Sequence, residues 1–293
     1  MPFGVVENST ANMLDKWLYW DIIRTCPNSP VDVPMESKKQ TRMMQERTDL
    51  PMGDRNVSMS NALARGAHSL SLAEKRIIAI ALAKTDSIQA HELFLGARNG
   101  WGVTLNAKEY AETYDIDTNT AYEQLKHSAQ ALLDRKWKTV EPSKTRAGRT
   151  VTMEGNWVSR IKYEDGAGYV EVSFTPHVAP HLLALRNHFT TYKLKQAAAL
   201  RSVYAWRLFE CLQSWRDKGR WSPTITEFHA AMDAPASCQA NFKDLRIRII
   251  EPAVKELREK DNLAIEWEPK KAGRKVTGLM FKFKPEPQGK LDL

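Results

Sequence analysis

The chain has 293 residues, room for about two domains. Its 42% apolar and 27% charged residues are ordinary for a globular protein with a core. Lys and Arg number 43 against 35 Asp and Glu, a net charge of +8 that points to a polyanion, nucleic acid above all. No run approaches the roughly 18 apolar residues of a membrane helix. The first ten residues lack the basic start and apolar stretch of a secretory signal. Cys26, Cys211 and Cys238 are odd in number and far apart, so they read as free thiols of a reducing cytoplasm.

Residues 1–60 read as a partly disordered tail. Pro27, Pro30, Pro34 and Pro51 break it, and one short helix is expected from Asn12 to Arg24. From Asn61 the pattern is dense. Ser71 and Glu74 have the spacing of a capping box and open a helix through Ile77, Ile80 and Leu82. A short strand is expected near Val103–Leu105. Asn106 can cap a helix through Tyr110 and Tyr114, and after the turn Asp115–Asp117 a second helix runs from about Thr118 to Arg135. Strands follow at Trp137–Glu141, Trp157–Tyr163 and Tyr169–Phe174, with a basic loop, Pro142 to Gly155, between the first two.

The second half repeats this order: a long helix from Lys193 to about Asp217, helices at Thr224–Met232 and from about Gln239, and strands at Leu263–Glu268 and Thr277–Phe283. Short windows repeat too. Ala121–Lys126 matches Asn241–Arg246, and Ala147–Thr152 matches Ala272–Thr277. A duplicated unit of helix, strand, helix, turn, helix and basic β-hairpin is a winged helix-turn-helix. The expected fold class is therefore α+β, two tandem winged-helix domains, at residues 61–187 and 188–293.

In such a unit the second helix of the motif enters the major groove. In the second copy Phe242, Leu245 and Ile249 form an apolar stripe for the core. Lys243, Asp244 and Ile247 then point outward, with Asn241, Arg246 and Arg248 on the flanks. Lys and Arg can bond guanine, Asn can read adenine, and an exposed Ile can touch a thymine methyl. A solvated basic face is the plain alternative, and the basic hairpin behind it favours DNA. Pro252 should bend or restart this helix. The hairpin carries Lys270, Lys271, Arg274 and Lys275, suited to phosphate contact. The first copy offers Thr120 and Lys126 on its reading helix and Lys144, Arg146 and Arg149 on a basic wing, suited to gripping the DNA backbone.

Several chemistries lack their residues. No two histidines are separated by one residue, no phosphate-binding G-x-x-x-x-G-K-[ST] occurs, and no H-x-x-R occurs. These absences argue against a rolling-circle nickase, an ATPase and a tyrosine recombinase. Tyr110 and Tyr114 read as core. His177 and His181 are spaced i, i+4 with no third ligand nearby. No catalytic residue, metal or cofactor is expected.

The segments Asn61–Arg76, Trp157–Tyr163, Gly168–Phe174, Phe189–Leu194, Ser202–Glu210 and Ile250–Glu256 resemble, in order, the iteron-binding theta-type plasmid replication initiators, typified by the F-plasmid initiator. The resemblance spans about Asn61 to Lys284. It implies a C-terminal reader of directly repeated origin sequences (iterons), and an N-terminal domain that touches the other end of the iteron and forms a homodimer. It further implies that monomers start replication with host replication initiator and helicase proteins, while dimers repress their own gene at an inverted repeat, all in the bacterial cytoplasm. The base-reading positions it assigns are Asn241, Lys243, Arg246, Ile247 and Arg248. Here Asn241 and Ile247 stand where Arg can occur. A double winged-helix repressor with no replication role, or an unrecognised nuclease, is the competing expectation.

Overall fold

In the computed structural model, the described residues are 50–285 except 87, 89, 144, 184, 186, 187 and 262. The expected helix from Asn12 to Arg24 lies outside them. The element order begins β1 (Asn56–Ser60), α1 (Asn61–Arg65), β2 (Ala67–His68) and α2 (Leu72–Thr85). It continues α3 (Ala90–Asn99), β3 (Trp101–Asn106), α4 (Ala107–Tyr114) and α5 (Thr118–Leu132). Four strands follow, β4 (Lys136–Pro142), β5 (Thr150–Asn156), β6 (Val158–Tyr163) and β7 (Tyr169–Phe174).

The caps predicted from sequence start these helices. Ser71 Oγ accepts the Glu74 N–H at 3.3 Å, and Glu74 Oε2 accepts the Ser71 N–H at 2.8 Å. Asn106 Oδ1 accepts the Lys108 N–H at 2.8 Å to open α4. Asp115, at φ 52°, turns the chain out of α4 into the left-handed region that Asp tolerates better than most residues. α2 is buried from Glu74 to Ala83 and forms the centre of this half. Tyr110 and Tyr114 pack edge to face at 4.8 Å within the core, as expected of them.

The sheet order β3-β7-β6 makes α2, β3, α4, α5, β6 and β7 a complete winged helix. This corrects the sequence reading in one respect. The stretch to Gly155 is no loop: β5 pairs with β4 over its full length, from Lys136 opposite Asn156 to Pro142 opposite Thr150. That hairpin joins β2, not β3. It is therefore an insertion between the reading helix and the true wing, which is β6–β7. The sequence match of Ala147–Thr152 to the second-copy hairpin aligned two elements that are not equivalent.

The second half runs β8 (Phe189–Lys193), α6 (Leu194–Ala198), α7 (Val203–Gln213), β9 (Arg220–Trp221), α8 (Ile225–Met232) and α9 (Ala236–Ala240). The expected helix from Lys193 to Asp217 is thus divided. Phe189–Lys193 is extended and pairs with β1, Val57 facing Tyr192. Ser202 starts α7 afresh, its Oγ accepting from Tyr204 N–H at 3.2 Å. The pairing also shows that the segment before Asn61, expected to be tail, enters the fold at Asn56. It ties the strand after residue 188 to the first half. α3 was not anticipated either.

Next come α10 (Phe242–Leu245), a π-turn (Arg246–Ile250), α11 (Glu251–Asp261), β10 (Leu263–Ala272) and β11 (Lys275–Pro285). The sheet order β10-β11-β9 repeats the first copy, with the strand before the motif paired to the last strand. Thr224 and Glu227 form a capping box on α8, and Asp233, at φ 49°, ends it as Asp115 ends α4. Pro252 was expected to bend or restart the reader helix, and the helix is irregular just before it. The chain absorbs the missing N–H by widening one turn to a π-turn, and the helix continues into α11. At Gly278, β11 crosses the entry to α8 so closely that an added Cβ would lie 2.7 Å from the Pro223 carbonyl oxygen. That approach anchors the wing to the helix-turn-helix.

A buried polar cluster joins α2 to β8 and α7. Lys75 Nζ on α2 lies 2.7 Å from Glu210 Oε2 on α7, both side chains at most 5% exposed. Tyr192 Oη and Trp206 Nε1 each donate to Glu210 Oε1 at 3.0 Å. Arg207 NH2 donates to His68 Nδ1 at 2.9 Å and to the His68 carbonyl. Burial and the neighbouring Arg207 hold the His68 pKa well below its ordinary value, so the ring is neutral with its proton on Nε2. Cys211 is buried beside this cluster, and burial pushes its thiol up to about 12, so it stays an unreactive thiol.

Candidate nucleic-acid interface

The reader helix of the second copy divides by face as its spacing requires. Leu245, Ile249 and Ile250 are buried and Phe242 is half-buried. Asn241, Lys243, Arg246, Ile247 and Arg248 are all exposed, Ile247 at 45%. An aliphatic side chain left that open on a cationic helix has no folding role there. Asn241 also caps the helix: its Oδ1 accepts the Lys243 N–H at 2.9 Å. That bond uses one of the two lone pairs of Oδ1, so the amide keeps its N–H groups and one lone pair for a ligand. Arg248 NH1 donates to Ser237 Oγ on α9 at 3.4 Å, a long bond that steadies its stem. The Glu251 N–H donates to the Arg246 carbonyl across the π-turn.

β10 and β11 form the wing, with a register shift between Lys270 and Lys271 and Gly273 at φ 60° in its tip. Lys271, Arg274 and Lys275 are exposed, while Lys270 Nζ donates to Ser222 Oγ at 2.6 Å. Reader and wing face each other across a groove of about 460 Å³ lined by Phe242, Arg246, Glu251, Trp267, Lys271 and Arg274, among others. The fold thus brings Arg246 together with two of the four predicted wing cations. Trp267, Ser222, Ser237 and Glu251 were not singled out from sequence. Of these, only Glu251 carried a signal, through the proline that follows it.

The first copy is arranged differently. Thr120 N–H and Oγ1 both donate to Asp117 Oδ2, at 3.0 and 3.2 Å, as part of the α5 cap. Lys126 Nζ lies 2.6 Å from Asp165 Oδ1 and 4.7 Å from the Tyr163 ring centre. The hydrogen bond to Asp165 raises the lysine pKa, so the charge is present but paired. Gln124 faces inward to accept from Tyr110 Oη at 3.0 Å. The exposed face adds Asp117 and Glu123, and the true wing tip is Glu164-Asp165-Gly166. This reading face is acidic where a phosphate-binding face would be cationic. The basic side chains expected on the wing stand on the inserted hairpin instead. Lys138 is paired there with Glu154 at 2.6 Å, while Arg146 and Arg149 are exposed beyond it; Lys144 lies outside the described residues.

His177 is exposed, and His181 Nδ1 lies 3.0 Å from Ser60 Oγ. Among the described residues, no three His, Cys, Asp or Glu side chains come together to hold a metal, and no helix is long and apolar enough to cross a membrane.

Comparison with known proteins agrees with this architecture. Residues 56–213 match the family model described as "Initiator Replication protein, WH1", and residues 224–283 match "Initiator Rep protein, WH2". The chain belongs to this family of replication initiators. The junction between the two matched spans falls after α7, whereas the sequence reading divided the chain at residue 188. Among relatives of this initiator, an uncharacterized 27.6 kDa protein of Escherichia coli is 24% identical over 232 residues, 78% of this chain and 95% of the relative. A probable replication protein rep of Bifidobacterium longum (strain NCC 2705) is 28% identical over 123 residues, 42% of this chain and 41% of the relative. Among solved structures, the Pi initiator protein in complex with iteron DNA shares the fold, with a TM-score of 0.60 and 18% identity over 79% of this chain and 97% of that one. The tandem winged-helix fold read from the sequence is thereby established.

Proposed function

We propose that this initiator binds directly repeated origin DNA as a monomer, opens or bends the origin, and recruits host replication initiator and helicase proteins in the bacterial cytoplasm. As a dimer formed through its first winged helix, it represses its own gene. The observation that carries the reading is the second winged helix. Lys243, Arg246, Ile247 and Arg248 stand exposed on the reader helix, and Arg246 lines one groove with Lys271 and Arg274. Cations on the wing suit phosphates, and the helix side chains suit base edges. The Pi initiator, which has this fold, was solved on iteron DNA. The acidic first reading face supports placing most of the base readout on the second copy. Backbone contact by the first falls to Arg146 and Arg149 on the inserted hairpin.

Two measurements test this. A plasmid carrying the DNA beside the gene, but no initiator of its own, should be maintained only when the chain is supplied; repression without maintenance would make it a repressor. Replacing both Arg146 and Arg149 with Ala should weaken binding to cognate and unrelated duplexes alike and lower the slope of log affinity against log salt by about 0.9 per lost phosphate contact. A loss confined to the cognate duplex would place those arginines on bases instead.

A further inference from the structure

The π-turn pairs two residues that a regular α-helix would keep apart. Residues five apart in an α-helix point about 140° away from each other. Here the Glu251 N–H donates to the Arg246 carbonyl, and Glu251 Oε1 lies 3.5 Å from Arg246 Nε. Pro252 explains the geometry. Its ring would clash with the Arg248 carbonyl in a regular turn, and it has no N–H to offer that carbonyl. Widening the turn relieves the clash and swings the Glu251 side chain under that of Arg246. Both side chains are about half exposed, at 51% and 46%, and both line the groove with Lys271 and Arg274.

A carboxylate on the Nε side of a guanidinium leaves the terminal NH1 and NH2 groups as the free edge. Those groups form the fork that meets guanine O6 and N7. The same carboxylate sets a negative charge among the groove cations Arg246, Lys271 and Arg274, where it opposes a docked phosphate. We propose that Glu251 is a specificity-determining residue: it turns Arg246 away from phosphates and toward base edges. This rests on the reading that the helix binds DNA in the major groove. Exposed ion pairs add little to stability, so Glu251→Ala should fold normally.

The test titrates a duplex carrying one direct repeat from the DNA beside the gene, a set with its G·C pairs replaced one at a time, and an unrelated duplex. In the wild type, replacing the pair read by Arg246 should weaken binding about 5- to 150-fold. In Glu251→Ala that penalty should shrink toward none, while the unrelated duplex binds more tightly. Glu251→Gln, which keeps an acceptor without the charge, should retain part of the penalty yet share the gain on unrelated DNA. In an Arg246→Ala background the penalty at that pair is already lost, and Glu251→Ala should then change the preference at no pair, as required of a residue acting through Arg246. A penalty undiminished in Glu251→Ala, or a change of base preference that Glu251→Ala causes when Arg246 is absent, would overturn the inference alone. A wild type indifferent to every single replacement would overturn the DNA-reading assignment and the inference with it.

Discussion

Glu210→Ala should destabilise the initiator by about 3–5 kcal/mol, read as a lowered urea midpoint. The residue is 1% exposed and accepts from three buried donors, the Lys75 ammonium, the Tyr192 hydroxyl and the Trp206 indole. Removing it strands a lysine charge with no counter-ion and leaves the Tyr192 hydroxyl without an acceptor, while the Trp206 indole keeps Tyr192 Oη at 3.3 Å; the stranded charge dominates. Replacing Lys75 with Met and Glu210 with Leu together should recover most of the loss, because the desolvation cost disappears with both charges. A single variant that loses less than about 1 kcal/mol would show that water reaches Lys75, since an exposed pair contributes no more than that. The effect reaches function because the cluster ties α2, the central helix of the first half, to α7, the helix that precedes the second matched span. Loosening this cluster should disturb the relative placement of two DNA-facing surfaces.

The second large effect concerns recognition. Arg246→Ala or Arg248→Ala should lower affinity for the cognate repeat by about 1–3 kcal/mol if the residue makes a bidentate base contact. Affinity for unrelated DNA should fall much less. The arginines differ in their surroundings. Arg246 has Glu251 on its Nε side, and Arg248 has Ser237 on NH1. The single-residue loss should therefore be larger at Arg246, whose fork is free. Unchanged affinity for both variants would remove the recognition-helix assignment.

Features set by neighbours a few residues apart were legible in the sequence. The caps at Ser71 and Asn106 and the exposure of Lys243, Arg246 and Ile247 depend on helical spacing alone, and the structure keeps them. Features set across long separations were not. β1 finds β8 through a pairing that joins Val57 to Tyr192, and no local pattern announces it. The hairpin after Lys136 has the basic Gly-containing turn of a wing, but its membership is decided by which strand it joins. β4 pairs with His68 and Ala67 rather than with β3. Pairing at the first reading helix was hidden for a similar reason, although that face already read as the less cationic of the two. Lys126 counts as a cation in the sequence, yet Asp165 on the wing tip meets it at 2.6 Å. The proline announced an irregularity near Pro252, but not that it would take the form of a π-turn. A helix that can widen by one residue per turn has a second way to accommodate a proline.

The central claim is that the second winged helix reads repeated DNA through Lys243, Arg246, Ile247 and Arg248. Quantitative footprinting over the DNA beside the gene, repeated across salt concentrations, tests it most directly. The account predicts separate protected sites at direct repeats, an affinity that falls steeply with salt through counterion release, and loss of the protected pattern in Arg246→Ala. Protection without preference for the repeats, or a pattern that survives in Arg246→Ala and Arg248→Ala alike, would contradict it.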